Sequence, residues 1–308
     1  MAESYSKFAE VYDELMDATP YEEWRDRIIE LIREYGVSKP QKREEALPEA
    51  EDASLYEGAP YGETEYGQSE SVGTDERQRL EEELLDSERD LVVDLGCGTG
   101  TLTEMLYKAG YDMIGIDYSE SMLEKAMEKR DESGAEILYL QQDMRELSLY
   151  STVGTVISVC DSVNYLLEKD ELLKVFSLVN NYLYPGGIFI FDFNTDYKYR
   201  EVLGDCVIAE NRDDCSFIWE NDYDSEGRIN EYDLTIFLQR EGELFERVTE
   251  THLQRGYQAE EMMELLEKAG LQVILMRDAD TEGNVRPESE RILVVAKEVQ
   301  KDKPTLPL

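Results

Sequence analysis

The stretch LVVDLGCGTG, residues 91–100, says most about the fold of this chain. Its first half, LVVDL, is almost entirely apolar, as a strand buried within a parallel sheet requires. Gly96 and Gly98 then allow a tight turn and a close approach of the backbone to a ligand. The apolar spacing from Leu102 to Ala109 predicts a helix, whose N-terminal N–H groups suit an anion. The stretch therefore predicts a strand–turn–helix unit with a ligand site at the turn.

Strands and helices alternate through most of the chain from residue 90 onward. Further strands are predicted at 113–117, 136–141, 153–160, 188–193, 271–277 and 291–299, with helices after Ser119 and at 170–183 and 258–269. The β-α order indicates parallel pairing with right-handed crossovers. A loop without a helix joins the last two strands, so we expect an antiparallel pair at one edge. The predicted fold class is α/β, with a mostly parallel seven-stranded sheet whose last strand is antiparallel.

Changes in composition divide the chain into four parts. Residues 1–36 are predicted to form a helical cover, with one helix over 5–16 and a second that is capped by Thr19 and ends at Gly36. Residues 37–89 lack periodicity and are interpreted as an acidic flexible insertion. Residues 90–199 and 256–308 form the core. Between them, 200–255 hold extended segments at 205–211, 215–223, 228–239 and 244–255, which predict an inserted antiparallel sheet.

Three acids follow three successive predicted strands. Asp94 precedes the glycine turn and could face an ammonium group. Asp117, about 20 residues further on, suits the two hydroxyls of a ribose. Asp143 could accept from an adenine amino group while Met144 packs on the ring. Each acid alone is as well explained by a helix cap or a turn. Because all three would line one crevice, the sequence predicts a nucleoside site.

Net charge and cysteine usage exclude several classes of function. The chain has 308 residues, with 71 Asp and Glu against 31 Lys and Arg, so its formal net charge is −40. Such a chain repels phosphate backbones and anionic lipids, which makes nucleic acid and membrane surfaces poor partners. No signal peptide or apolar run long enough for a membrane span is visible, so a cytoplasmic protein is expected. The four cysteines lack metal-ligand spacing, so we expect no metal site and free thiols, with a pair between Cys206 and Cys215 as the alternative.

DLGCGTG, GIDYSESML and QQDM together resemble the class I S-adenosylmethionine-dependent methyltransferases, which have a Rossmann-like core. KFAEVYDELM and VCDSVNYL resemble a largely uncharacterised bacterial subfamily of the small-molecule type. The resemblance implies S-adenosyl-L-methionine as methyl donor, with Asp94 on its methionine part, Asp117 on the ribose and Asp143 on the adenine. It also places the N-terminal helix over the donor, and Cys160 and Asp161 near the sulfonium. The donor site it implies comprises Tyr5, Tyr12, Asp94, Gly96, Cys97, Gly98, Thr99, Gly100, Asp117, Tyr118, Met122, Asp143, Met144, Cys160 and Asp161.

The acceptor side is less defined by the sequence. His252 is the only histidine and, in a His-x-x-Arg pattern that resembles related enzymes, is a candidate base; a structural role is the alternative. Asp161, Asn164, Tyr165, Asn194 and Tyr197 follow the fourth and fifth strands and either orient an acceptor or serve as caps and turns. The inserted sheet is interpreted as an acceptor lid or a dimer surface. We expect a small-molecule acceptor, methylated by in-line displacement.

Two other functions remain open at this point. The first is a non-catalytic regulator that binds S-adenosylmethionine, whose acceptor pocket would be filled by side chains. The second is a nicotinamide-dependent oxidoreductase. The dinucleotide fingerprint is GxGxxG, whereas here the spacing is Gly96-x-Gly98-x-Gly100, and the predicted antiparallel edge leaves less room for a second mononucleotide half.

Overall fold

The computed structural model describes residues 7–41, 85 and 87–301. Seven strands form the main sheet: β1 (Leu91–Leu95), β2 (Asp112–Asp117), β3 (Leu138–Gln141), β4 (Val153–Ser158), β5 (Leu183–Asn194), β10 (Leu271–Asp278) and β11 (Arg291–Glu298). Their order is β10-β11-β5-β4-β1-β2-β3. The first five strands pair in parallel, and β11 is antiparallel to both of its neighbours. The predicted fold class, including the antiparallel edge, is confirmed.

Helices cover both faces of this sheet. They are α1 (Tyr12–Leu15), α2 (Tyr21–Tyr35), α3 (Thr101–Lys108), α4 (Glu120–Ser133), α5 (Lys169–Tyr182) and α6 (Ala259–Lys268). On one face, Phe176 of α5 packs on Phe189 and Phe191 of β5, and α6 joins the same cluster. On the other face, α2, α3 and α4 bury side chains such as Ile32 and Leu106. Because these two apolar clusters pack on both faces of the sheet, they hold the ends of β1, β2 and β4 in place.

A second, four-stranded antiparallel sheet lies in the chain between β5 and α6. Its strands are β6 (Val207–Asn211), β7 (Cys215–Asp224), β8 (Ile229–Gln239) and β9 (Phe245–Arg255), in that order. Along β8, Tyr232, Leu234, Ile236 and Leu238 are buried and pack against Phe8 and Val11. The inserted sheet predicted over 200–255 is therefore present. Its inner face packs against the N-terminal segment.

The N-terminal segment differs from its prediction. In place of one helix over 5–16, a 3-10 turn at Phe8–Glu10 is followed by the four-residue α1. Residues 5 and 6 lie outside the described part. The predicted Thr19 cap is wrong: Pro20 holds the N-cap position, and the Thr19 hydroxyl donates to Met16 Sδ at 3.8 Å. Contacts with the rest of the fold outweigh local helix propensity here, because Glu250 accepts the backbone N–H groups of Lys7 and Phe8.

Two smaller predictions, a helix cap at Ser119 and free thiols, are confirmed. The Ser119 cap is confirmed, since its hydroxyl oxygen accepts the N–H of Met122. All four cysteines are free. Within the described residues, no helix has the length and apolar character that crossing a membrane would take. Most of the 37–89 insertion lies outside the described residues, and the four-part division of the chain stays a prediction.

Candidate active site

A cavity of about 200 Å³ lies at the carboxyl ends of β1, β2 and β4. Twelve of the predicted donor-site residues line it: Tyr12, Asp94, Gly96, Cys97, Gly98, Thr99, Asp117, Tyr118, Met122, Asp143, Met144 and Cys160. Gly100 and Asp161 lie outside its wall, as does the candidate base His252. Tyr5 lies outside the described residues. The structure thus brings most of the predicted site into one concave surface.

The glycine turn between β1 and α3 is shaped for close approach. Gly96 and Gly98 have φ values of 84° and 55°, which favour glycine. A Cβ atom at Gly96 would lie 2.6 Å from the Ser162 hydroxyl oxygen, whereas a Cβ atom at Gly98 would meet nothing within 4 Å. Gly98 therefore leaves open space at the wall. Gly100 serves packing instead, because its Cβ atom would lie 2.3 Å from the Tyr139 hydroxyl.

Asp94 is buried at the start of this turn. It is 2% exposed, and its Oδ2 accepts a hydrogen bond from the Thr103 hydroxyl at 2.6 Å. Burial disfavours the charged form and raises the pKa of Asp94 to about 7, with a smaller contribution from the charge of Asp117. A cationic group bound beside Asp94 would stabilise its ionised form.

Asp117 holds the glycine turn from the neighbouring strand. Its Oδ2 accepts the Gly98 N–H and its Oδ1 accepts the Ser119 N–H, both at 2.8 Å. Burial raises the pKa of Asp117, and these backbone bonds oppose the rise. Because the carboxylate is fixed from two sides, it presents a preorganised acceptor to the cavity.

Asp143 is held by a cation. Its carboxylate accepts from the Arg145 side chain, with Nη2 to Oδ2 at 2.6 Å, and Arg145 also pairs with Glu171 at 2.7 Å. The bond from Arg145 lowers the pKa of Asp143, so the group stays an anion. Met144 begins the short 3-10 turn Met144–Glu146 and lines the cavity beside it.

The N-terminal segment 7–17, called the cover segment below, closes over the glycine turn. The Asp13 carboxylate accepts from the hydroxyls of Thr99 and Thr101, at 2.6 and 3.2 Å. Lys129 of α4 lies 2.5 Å from Asp13 and donates to both threonines. These contacts bring Tyr12 to the cavity wall, next to Tyr21 and the first turn of α2.

The fourth strand ends in a strained turn. Cys160 and Asp161 have φ values of 63° and 53°, a region that L residues rarely adopt. The Asp192 carboxylate accepts the Asp161 N–H at 2.9 Å and so holds the turn. Cys160 faces the cavity, where burial raises the pKa of its thiol. The Asp161 carboxylate instead accepts from Gln254 at 2.5 Å.

His252 lies one side chain behind the cavity wall. Its side chain is fully buried, with Nδ1 3.4 Å from the hydroxyl of Tyr165, and Tyr165 is the one that lines the cavity. Of the other predicted acceptor residues, Asn164 is structural: its amide donates to the carbonyls of Asn194 and Arg255. A role for His252 in catalysis therefore has to pass through Tyr165.

Sequence reasoning did not place Tyr21 and Trp24 at the site. Both line the cavity from the first turn of α2. The Arg291 guanidinium also lies over the Trp24 ring, 4.8 Å from its centre. The available signal was the position of two aromatic residues in the first turn of the second helix of the predicted cover.

Comparison with known proteins places this geometry in a family. Residues 92–187 match a family model described as a methyltransferase domain. A protein of Bacillus subtilis (strain 168) named "Putative methyltransferase YqeM" is 31% identical over 293 residues, which cover 95% of this chain and 96% of that protein. The chain belongs to the class I S-adenosylmethionine-dependent methyltransferases. This methyltransferase accordingly uses S-adenosylmethionine as its methyl donor.

Two further similarities describe how far the likeness extends. A crystal structure of an S-adenosylmethionine-dependent methyltransferase from Clostridium acetobutylicum ATCC 824 is 27% identical, with a TM-score of 0.72, and covers 96% of this methyltransferase and 99% of that chain. The dTDP-3-amino-3,4,6-trideoxy-alpha-D-glucopyranose N,N-dimethyltransferase of Streptomyces venezuelae is 32% identical over 103 residues, covering 33% of this chain and 42% of that protein. The first likeness spans nearly the whole chain, whereas the second spans only part of it.

Proposed function

We propose that this methyltransferase holds S-adenosylmethionine in the cavity at the ends of β1, β2 and β4, and methylates a small molecule that enters beside Tyr165. One observation carries the proposal: Asp94, Asp117 and Asp143 line a single cavity in the order of their strands. This order matches a ligand with an ammonium group, a ribose and an adenine, because each acid lies at the end of the next strand across the sheet.

The residues at the wall fit this donor. Asp94 is a buried acid that accepts a hydrogen bond from the neutral Thr103 hydroxyl, so the ammonium group of the methionine part is a suitable counter-ion. Asp117 would accept from the ribose hydroxyls, since a carboxylate has about four lone-pair positions and its backbone bonds leave capacity. Asp143 and Met144 would bind the adenine, and Gly98 leaves the space that a Cβ atom would fill.

Bound S-adenosylmethionine supplies a methyl group on a sulfonium, a leaving group that is already activated. The task of the protein is therefore to align the acceptor and exclude water, and alignment of this kind lowers a barrier by roughly 7–11 kcal/mol. Tyr12, Tyr21 and Trp24 surround the cavity on the side of the cover segment and α2. Their aromatic faces attract a cation such as a sulfonium. Cys160 and Tyr165 line the wall that follows β4.

A small acceptor fits the closed shape of the site better than a macromolecule does. The cover segment is fastened both to the glycine turn, through Asp13, and to the inserted sheet, through Glu250. The net charge of −40 disfavours nucleic acid. The Streptomyces venezuelae relative, by its name, acts on a nucleotide-linked amino sugar, which supports a small-molecule acceptor. A homodimer, a cytoplasmic location and roles for Tyr5, Gly100 and Asp161 at the donor stay predictions.

The proposal is tested by calorimetric titration with S-adenosylmethionine, S-adenosylhomocysteine and NADH. We expect the two sulfur nucleosides to bind and NADH not to bind. Asp117→Ala should weaken both nucleosides about 10- to 100-fold, because two charge-assisted hydrogen bonds are lost. Asp112→Ala, at the opposite end of the same strand, is the matched control and should leave the affinity unchanged. Unchanged binding in Asp117→Ala would refute the ribose assignment.

The non-catalytic regulator is separated by transfer of a labelled methyl group. A regulator binds the donor but transfers nothing to any small molecule, whereas an enzyme labels at least one acceptor. Tyr165 at the cavity wall favours the enzyme, because a regulator would fill the acceptor end of the cavity with side chains.

A further inference from the structure

Three polar side chains lead from the cavity wall into the inserted sheet. Tyr165 lines the cavity, and its hydroxyl lies 3.4 Å from Nδ1 of His252. Nε2 of His252 lies 3.5 Å from Oε2 of Glu250. Glu250 and His252 are two residues apart on β9, so both side chains point to the same, inner face of the sheet. Both are buried, at 7% and 2% exposure.

A proton can pass along these side chains with one tautomer of His252. With the ring proton on Nε2, the nitrogen that faces Glu250, Nδ1 can accept a hydrogen bond. The Tyr165 hydroxyl then donates to Nδ1. Tyr232, whose hydroxyl is 2.8 Å from that of Tyr165, donates to Tyr165 in turn, and its ring stacks on His252 at 4.8 Å.

The same glutamate holds the cover segment. Its other oxygen, Oε1, accepts the backbone N–H groups of Lys7 and Phe8, at 3.1 and 3.2 Å. One carboxylate therefore contacts both the cover segment and His252.

We propose that Tyr165 is the catalytic base for the acceptor, and that His252 and Glu250 are positioning residues that act through it. This proposal rests on the proposed function, because it requires the acceptor to reach Tyr165. The acceptor nitrogen or oxygen bonds to the methyl carbon while the carbon–sulfur bond breaks and its electron pair stays on sulfur. The acceptor proton passes to the Tyr165 oxygen as the Tyr165 proton moves to Nδ1 of His252. The resulting imidazolium is paired with Glu250 until it returns the proton to water.

The proposal defines the class of acceptor. A base is needed only where the attacking atom carries a proton, so the acceptor is an alcohol, a phenol or an amine. A carboxylate or a thioether needs no base and would leave the Tyr165–His252–Glu250 chain without use. The acceptor is thus a small O–H or N–H nucleophile.

The first test does not require an acceptor. Because His252 is the only histidine, its ring nitrogens can be observed by NMR in protein labelled with ¹⁵N-histidine without assignment work. We expect the tautomer with the proton on Nε2, and a shifted Nδ1 resonance in Tyr165→Phe. Thr251→Val is the matched control, since Thr251 lies between the two residues on β9 and its hydroxyl donates outward to Asp233 at 2.5 Å. A proton on Nδ1, or an Nδ1 resonance that is the same in Tyr165→Phe, would overturn the proposal.

The second test measures transfer of tritiated methyl groups to a panel of small alcohols, phenols, amines and carboxylates. Tyr165→Phe and His252→Gln should lower turnover about 10²- to 10⁴-fold, as loss of a general base does, while the dissociation constant of S-adenosylmethionine changes by less than about two-fold. Glu250→Gln should lower turnover less, and Glu250→Asp should restore part of it.

The possible results separate this proposal from the proposed function. Wild-type protein that binds no S-adenosylmethionine contradicts the proposed donor site, and the histidine tautomer is then judged by NMR alone. Wild-type protein that methylates only carboxylates, or full turnover in Tyr165→Phe, overturns the base while the methyltransferase function stands. Loss of turnover with equal loss of donor affinity would show a structural role only.

Discussion

The ionisation of Asp94 should make the binding of S-adenosylhomocysteine depend on pH. Its pKa is raised to about 7 because burial disfavours its charge. An ammonium group is held only by the ionised form, so binding below pH 7 requires deprotonation. We expect the affinity for S-adenosylhomocysteine to fall about tenfold per pH unit below about 7 and to level off above it. Calorimetry between about pH 5.5 and 8.5 measures this.

Adenosine provides the control at this scale, because it lacks the ammonium group but keeps the ribose that Asp117 would bind. Its affinity should show a weaker dependence on pH. Asp94→Asn should remove the dependence for S-adenosylhomocysteine and leave weak binding at every pH. An affinity that is constant from pH 5.5 to 8.5 would contradict the assignment of the ammonium group to Asp94, since the ionised form must be produced before it can pair.

Among the elements, the cover segment is bound over the glycine turn, and we expect its contacts to control entry to the site. Asp13 is fastened by the hydroxyls of Thr99 and Thr101 and by Lys129 of α4. Lys129→Met should loosen this contact and speed dissociation of S-adenosylhomocysteine about two- to fivefold, as expected for a partly exposed ion pair. Stopped-flow fluorescence of Trp24 in a Trp219→Phe background reports the rate, because Trp24 lines the cavity.

Arg130→Met is the matched control for the cover segment. Arg130 follows Lys129 on α4 and pairs with Asp131 of the same helix at 2.8 Å. The dissociation rate should match that of the wild type. If Arg130→Met and Lys129→Met change the rate equally, the effect belongs to α4 in general, and the cover segment does not control entry.

At the scale of the whole molecule, the excess of acidic residues should affect thermal stability. With 71 acids against 31 Lys and Arg, we expect repulsion among like charges to oppose the compact state more than ion pairs support it. Salt screens this repulsion, so the melting temperature should rise between about 0.02 and 0.5 M salt, where the Debye length falls from roughly 20 to 4 Å. Calorimetric scans in KCl and NaCl measure the shift. A flat or falling melting temperature would show that ion pairs outweigh the repulsion.

Periodicity and turn residues were sufficient for most of the fold. The strands of the main sheet and of the inserted sheet lie close to their predicted bounds, because apolar alternation and glycine turns are local signals. The exception is β5, which begins at Leu183 and not at the predicted residue 188, so it includes the Pro-Gly-Gly turn at which the strand was expected to start. The first helix and the Thr19 cap were wrong for the opposite reason. The cover segment takes its conformation from contacts with Glu250, Thr99 and Thr101, which lie far from it in the sequence.

The sequence by itself determined that Asp94, Asp117 and Asp143 meet at one cavity, because strand order brings them to one edge of a parallel sheet. Only the tertiary structure decided the state of those acids and the partners of His252. Burial sets the pKa of Asp94, and Arg145 keeps Asp143 ionised. Tyr165 meets His252, which lies beside Glu250, although these two residues are 87 and 85 positions further along the chain. No local pattern encodes such a contact, since it exists only once the inserted sheet has packed against the core.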